Sequence, residues 1–425
     1  MIKREKISIN SIDLDILILL FVGLILVVDS VNGIILQSGL NFPISLSQLY
    51  KFLLLIIISL RLLHLSKLNS ILVFIFLIYS ILTSFYHFVI NENVYELVDS
   101  TLQFSKFLFI IILFCYCSIL IKIKPQLLNI ILRIIKFNLL ILILNLILGV
   151  FGLGYSSYDS IGIGIKGYFY AANELSGLVL ILFPFYLYLN QMYRKGFNLR
   201  YYVIGGLFII FSILVATKTA IIGTIITVMF IPFLYNNKML SFTLKLKPFL
   251  FKSLLIFIFI ILLILIVPSL LEQTGLVNKY TYVFENRDLI RIIFSGRTNL
   301  AQTSFQEFIS SNNIIKWFIG KSGYETIEMD FFNTLFSYGL FGILIIYSFF
   351  FYLIAVSFKK VFIRSDIVDY PYAKIVLYIN VLILIISTIA GHIVYSAMTG
   401  PFLGIVNSLT YYKTTKNKKT ILSVN

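Results

Sequence analysis

Long stretches of Leu, Ile, Phe and Val alternate with short connections that carry most of the charge. Apolar runs can be drawn at 14–36, 42–64, 68–90, 100–121, 134–153, 171–191, 199–216, 218–235, 249–271, 329–357, 371–392 and 396–412. About 20 apolar residues are enough for a helix to cross the hydrocarbon core. The pattern therefore predicts an all-α polytopic membrane protein of about twelve transmembrane helices. The last run is short, and the seventh and eighth nearly touch at Thr217-Lys218. The fifth has a basic, amphipathic lead-in, "PQLLNIILRIIK", which suits the membrane surface. One connection, 272–328, holds 57 residues. Loops of that length are uncommon and tend to be functional. Its middle, "TNLAQTSFQEFISS", places Leu300, Ala301, Phe305 and Phe308 on one helical face, as for a helix lying on the membrane or closing over the bundle. The chain divides into helices one to nine within 1–271, the long loop 272–328, helices ten to twelve within 329–412, and a basic tail 413–425.

Composition agrees with this picture. Of 425 residues, 60% are hydrophobic and only 12% charged, with a mean hydropathy of +0.99. A soluble protein carries about 25% charged residues. No small-residue cleavage site follows the first apolar run, so that run is expected to stay as a helix. Cys115 and Cys117, at i, i+2, point to different sides of a helix, and neither a disulfide nor a metal pair is expected.

The net charge of +16 changes meaning once its distribution is known. With a cytoplasmic N-terminus, 22 Lys and Arg fall in the inner segments, against only Lys166 and Lys218 in the short outer connections. That asymmetry is the positive-inside signal. It puts both termini in the cytoplasm, makes the long loop extracytoplasmic, and leaves no case for a nucleic-acid partner.

Polar residues can then be placed by depth. Asp29 and Asn32, Ser47 and Lys51, Asp99, Gln103 and Lys106, Asn173, Glu174 and Ser176, and Lys218 all lie toward the outer side. "IEMDFFNTLFSYGLFG", residues 327–342, opens the tenth run with Glu328 and Asp330, followed by Asn333, Thr334 and Ser337 on one face. His392 follows the eleventh run, also outside. A transporter needs polar groups through the midplane, usually at broken helices. A gathering in the outer leaflet suits an enzyme that works at the outer surface on a lipid-carried substrate. The cations Lys51, Lys106, Lys218, Arg287, Arg291 and Arg297 suit an anionic headgroup such as pyrophosphate. Simpler roles stand beside these. Asp330 can act as an N-cap. Arg287 and Arg291, four apart, can form a solvated loop face. Lys51 and Lys106 can snorkel to headgroups. His392 can be an ordinary polar residue at a helix end.

Five segments, in order, resemble the O-antigen ligase and O-antigen polymerase family of bacterial surface-polysaccharide enzymes. They are "GYFYAANELSGLVLIL", "ATKTAIIGTII", "FSGRTNLAQTSFQEF" with "WFIGKSGY", "EMDFFNTLFSYGLFG" and "AGHIVYSAMTGPF", and the likeness covers about residues 165 to 410. The resemblance implies a GT-C-like membrane glycosyltransferase on the outer face of the bacterial cytoplasmic membrane. It also implies an undecaprenyl pyrophosphate-linked oligosaccharide as substrate, a chain-length regulator as a further partner, and no cofactor. In the ligases, arginines of the outer loop and helix starts face the donor pyrophosphate, and a histidine acts near the acceptor hydroxyl. This chain departs twice: Lys218 stands where an arginine is usual, and Asp330 stands about where the ligase histidine would. The first keeps the charge and loses the bidentate geometry; the second favours a polymerase-like or otherwise distinct member over a lipid A-core ligase.

On this reading Asp330 is the expected base at the acceptor hydroxyl, with Glu328 second, orienting Arg297 or the sugar. Arg297 and Lys218 stabilise the leaving pyrophosphate, with Arg291 weaker and Arg287 beside it. Asn173, Glu174, His392 and Lys106 are expected to bind substrate, without a divalent metal. The rivals are ligase-type transfer of finished glycan, a flippase for the same lipid, and a peptidoglycan polymerase.

Overall fold

A computed structural model of the protein describes residues 9–40, 44–158, 163–194, 199–235, 297–310, 314–320, 329–362, 368–391 and 393–415. The expected ninth run, most of the long connection, and Arg287, Arg291, Glu328 and His392 lie outside the described residues.

The described chain is almost wholly helical, as an all-α membrane protein should be. Its helices are α1 (Ile9–Gly23), α2 (Ile25–Gln37), α3 (Leu46–Leu65), α4 (Lys67–Asn91), α5 (Val94–Ile123), α6 (Leu128–Val150) and α7 (Ala172–Arg194). Then follow α8 (Leu199–Val215), α9 (Lys218–Tyr235), α10 (Arg297–Ser310), α11 (Ile314–Ile319), α12 (Asp330–Phe362), α13 (Ala373–Ala390) and α14 (Gly400–Ser408). By length and composition six helical segments can each cross a membrane, or seven if the bent pair α1–α2 counts as one span. α8, α9 and α13 are shorter apolar helices.

α5 is the axis of the fold. In its membrane-length window 89% of residues are buried, against 28% in α4, whose apolar residues mostly face outward. α3, α4 and α14 pack on α5, while α7 carries α8, α9 and α13. Cys115 and Cys117 are both buried free thiols on α5.

Four differences from the run-by-run expectation have local physical causes. The first run is not one straight helix: α1 and α2 meet at 44° around Leu24. Asn138 of α6 fits into the break, donating to Gly23 O (2.9 Å) and accepting from Leu26 N (3.4 Å). A side chain inserted in the ladder is a recognised cause of a kink. The lead-in to the fifth run does not lie apart as a surface helix. It continues into α6, because Leu128, Ile131, Leu132 and Ile135 form a buried face at helical spacing.

The connection between α6 and α7 folds as a β-hairpin, β1 (Tyr155–Tyr158) with β2 (Ile163–Gly167), and β2 lies against α6 and α8. No strand was expected in so apolar a chain, since pattern alone does not tell a short apolar strand from helix. Finally, α12 is broken at Gly339 (φ 65°, ψ −164°). L-residues rarely reach this conformation. A Cβ there would also overlap the backbone of Phe318 and Ile319, so α11 can approach closely. Tyr79 of α4 donates to Tyr338 O (3.0 Å) beside the break.

Of the described part of the long connection, α10 and α11 pack on α12. The face of α10 that packs is narrower than expected. Ala301 and Phe308 are buried against Met329, Leu335 and Phe336, while Leu300 and Phe305 are 45% and 41% exposed.

Candidate functional site

Between α13 and α14 the chain runs without helix from Gly391 to Thr399, apart from His392, which lies outside the described residues. Nearly all of this segment is buried. Its backbone amides have no helical partners, and buried amides must find acceptors. Two carboxylates supply them for Ile393, Val394 and Met398.

From the start of α12, Asp330 Oδ2 accepts from Ile393 N (2.9 Å) and Val394 N (3.0 Å). Asp330 is only 2% exposed. One turn on, Thr334 Oγ1 donates back to Asp330 O (2.6 Å) and is 2.9 Å from the Tyr395 hydroxyl. The Tyr395 ring stacks on Tyr338 with centroids 5.8 Å apart, and the Tyr338 hydroxyl donates to Ser100 O of α5 (3.3 Å).

From the start of α7, Glu174 Oε2 accepts from Ser396 Oγ (2.6 Å) and Met398 N (3.2 Å). Thr399 Oγ1 donates to Glu174 O (2.8 Å), and Thr399 N donates to Ser396 Oγ (2.9 Å). α7 comes this close because residue 177 is glycine: a Cβ there would stand 3.0 Å from Thr399 Oγ1. Glu174 is half-buried, and among the described residues its Oε1 accepts no hydrogen bond.

The expected cations stand on other helices of the bundle. Ser176 and Thr217 share a hydroxyl hydrogen bond (2.6 Å), and Thr217 Oγ1 accepts from Ala220 N (3.3 Å), capping the first turn of α9, where Lys218 stands. On α5, the carbonyl of Lys106 faces Gly400, the first residue of α14. Arg297 opens α10, one turn before Ala301, which packs beside Met329 at the mouth of α12. Asn173, Lys218, Lys106 and Arg297 are all partly exposed.

Of the residues expected from sequence, Asp330 and Glu174 thus bond to residues 393–399, Asn173 precedes Glu174 on α7, Lys218 follows the Thr217 bonded to Ser176, and Lys106 meets Gly400 through its backbone. Asp330 does not act as a simple helix cap there, because its bonds reach across to the segment after α13. Tyr395, Ser396 and Thr399 join the site without having been singled out. Their signal was a run of hydroxyls between Gly391 and Gly400 in an otherwise apolar region. Among the described residues no three His, Cys, Asp or Glu side chains gather as metal ligands.

α14 and the turn after it, to Tyr411, rise only about 20 Å, less than a hydrocarbon core of about 30 Å. In a membrane, non-helical backbone such as that before α14 persists only where protein buries it or where it lines a water-filled cavity.

A second polar centre lies at the other end of α5. Asp15 is fully buried and takes Arg61 in two bonds (Nε to Oδ1 2.8 Å, NH2 to Oδ2 3.0 Å), the Tyr116 hydroxyl (3.0 Å) and the Lys124 ammonium. Asp15 was not among the expected site residues, although "SIDLDILILL", with Asp13 and Asp15 opening a long apolar run, was a readable signal. Asp29 and Lys51 form a third buried ion pair (2.6 Å), joined by the Ser47 hydroxyl. Lys51 therefore does not snorkel.

No protein-family model, curated protein or solved structure matches the chain.

Proposed function

We propose that the protein is an inverting membrane glycosyltransferase that polymerises undecaprenyl pyrophosphate-linked oligosaccharide units into a surface polysaccharide. It works at the outer face of the cytoplasmic membrane, in a frame of twelve spanning helices with both termini in the cytoplasm. The observation that carries this reading is the buried, non-helical chain between α13 and α14, held by Glu174 and Asp330, with Lys218 and Lys106 on helices of the same bundle. It joins a carboxylate to cations at one end of an apolar bundle, which is what transfer from a lipid pyrophosphate needs.

In the reaction, an acceptor sugar hydroxyl attacks the anomeric carbon of the donor. A C–O bond forms, the bond to the pyrophosphate breaks, and undecaprenyl pyrophosphate leaves. The hydroxyl proton goes to a carboxylate. We assign that role to Glu174 rather than Asp330. Glu174 is partly open and its Oε1 accepts no hydrogen bond from a described residue, whereas Asp330 is buried and one of its oxygens already holds two amides. Asp330 becomes a positioning residue for the segment. Lys218, Lys106 and Arg297 take the growing negative charge on the pyrophosphate, with Arg287 and Arg291 as further cations of the same loop. Three or more cations can neutralise the leaving group without a divalent metal.

The test is purified protein in proteoliposomes supplied with a lipid-linked repeat unit, with excess EDTA or with added Mg²⁺. A ladder of longer glycans in both conditions is expected. A ladder that needs metal would overturn the cation-only chemistry. Transbilayer movement of the lipid without chain growth would replace the enzyme by a transporter.

A further inference from the structure

At the end of the bundle opposite the 391–399 segment, three helices finish together: α5 at Ile123, α12 at Phe362, and the turn after α14 at Tyr411. The Lys360 ammonium lies 3.5 Å from the centre of the Tyr411 ring, and the Lys122 ammonium lies 3.8 Å from the same centre. Two positive charges are thereby held within about 7 Å of each other, a separation at which like charges repel. Lys360 also stands 5.2 Å from the Tyr370 ring. The Tyr411 hydroxyl is fixed by that of Tyr352 at 3.0 Å. Exposed Lys359 and Lys413 add charge nearby.

Among the described residues no carboxylate pairs with Lys122 or Lys360. The ion pairs there belong to Asp15 and Asp29. Helix-end carbonyls explain one contact only, the bond from Lys360 to Thr410 O (2.8 Å). An ammonium has three donors. Lys360 thus has donors left over, and Lys122 makes no hydrogen bond to a described residue. The surround is apolar and open: Phe358, Phe362 and Ile123 are 53%, 63% and 47% exposed on the same helix ends.

We propose that Lys122, Lys360 and Tyr411 form a binding site for the phosphate headgroup of an anionic phospholipid, whose acyl chains lie along Phe358, Phe362 and Ile123. Phosphate oxygens offer several acceptors to two ammoniums at once, and basic recesses between helix ends are known to suit such headgroups. The exposed apolar rim is what separates a lipid from free phosphate. The site is independent of the glycosyl-transfer reading.

The experiment is native mass spectrometry of the purified protein with phosphatidylglycerol, cardiolipin or phosphatidylcholine, and with millimolar inorganic phosphate as competitor. The Lys122→Gln/Lys360→Gln double variant should retain anionic lipid about tenfold less well. Phosphatidylcholine retention should not change, and Lys67→Gln, an exposed lysine elsewhere, should behave as wild type. If the double variant does not fold, Lys122→Gln alone serves, because that side chain is exposed and makes no hydrogen bond; a loss of anionic-lipid retention is then expected. Equal retention in the lysine variants, equal binding of phosphatidylcholine, or displacement of the lipid by inorganic phosphate would each overturn the proposal.

Discussion

Two buried carboxylate centres lie at opposite ends of α5, and they are satisfied differently. Asp15 is answered by charge: Arg61 and Lys124 enclose it, with the Tyr116 hydroxyl closing the set. Asp330 and Glu174 are answered by backbone amides and hydroxyls of a single irregular segment. The first arrangement ties helices to helices and is closed. The second holds a non-helical stretch of chain in place through its amides and hydroxyls, with Lys218 and Lys106 on neighbouring helices. One centre is built to hold the bundle together, the other to keep a shaped, charged space.

The largest expected effect separates the two carboxylates of the second centre. Glu174→Gln keeps an oxygen for Ser396 and Met398 but loses the proton acceptor. Polymer formation should fall about 10²- to 10⁴-fold with unchanged thermal stability. Wild-type ladders from this variant would remove Glu174 from the chemistry.

Asp15→Ala strands the buried Lys124 and the partly buried Arg61, and breaking a buried pair in this way is destabilising by about 3–5 kcal/mol. A clear drop in the melting temperature of detergent-purified protein is expected. An unshifted transition would mean that Arg61 and Lys124 find other partners and that the two centres are less different than they look.

At Asp330 the contrast can be made sharper still. Asp330→Ala leaves the amides of Ile393 and Val394 without that acceptor, at about 1–3 kcal/mol each, and should lower both stability and polymer yield. Asp330→Asn keeps a carbonyl oxygen for both amides, so its yield should stay within about tenfold of wild type. A loss of 10²-fold or more in Asp330→Asn at normal abundance would restore Asp330 as the base.

The smallest effect is expected at Lys218. Lys218→Arg keeps the charge and adds a bidentate grip on phosphate, so ladder formation should be retained. A dead variant would show that the space beside Thr217 is shaped for an ammonium and not simply charged.

Much was legible without coordinates. Eleven of the twelve expected apolar runs fall on helices among the described residues, because burying a backbone in hydrocarbon forces it into helix wherever the run is long enough. The polar residues at the ends of the apolar runs were legible too, since a charge near hydrocarbon is costly and stands out. The breaks were not. Leu24 and Gly339 sit inside continuous apolar runs, and what opens the helix there is a partner from elsewhere: Asn138 of α6 at the first, the backbone of α11 at the second.

The sequence by itself determined the class of the protein and which polar residues were out of place, because hydropathy and charge are properties of each residue in its own stretch. Only the tertiary structure decided what those residues do. Glu174, Lys218, Asp330 and Ser396 are spread over more than 220 positions, and no periodicity links a helix start to an irregular segment that folds back beside it. A carboxylate reads the same in sequence whether its oxygens meet an arginine, two amides or water. That choice is made by which backbone groups are left without partners when the helices pack.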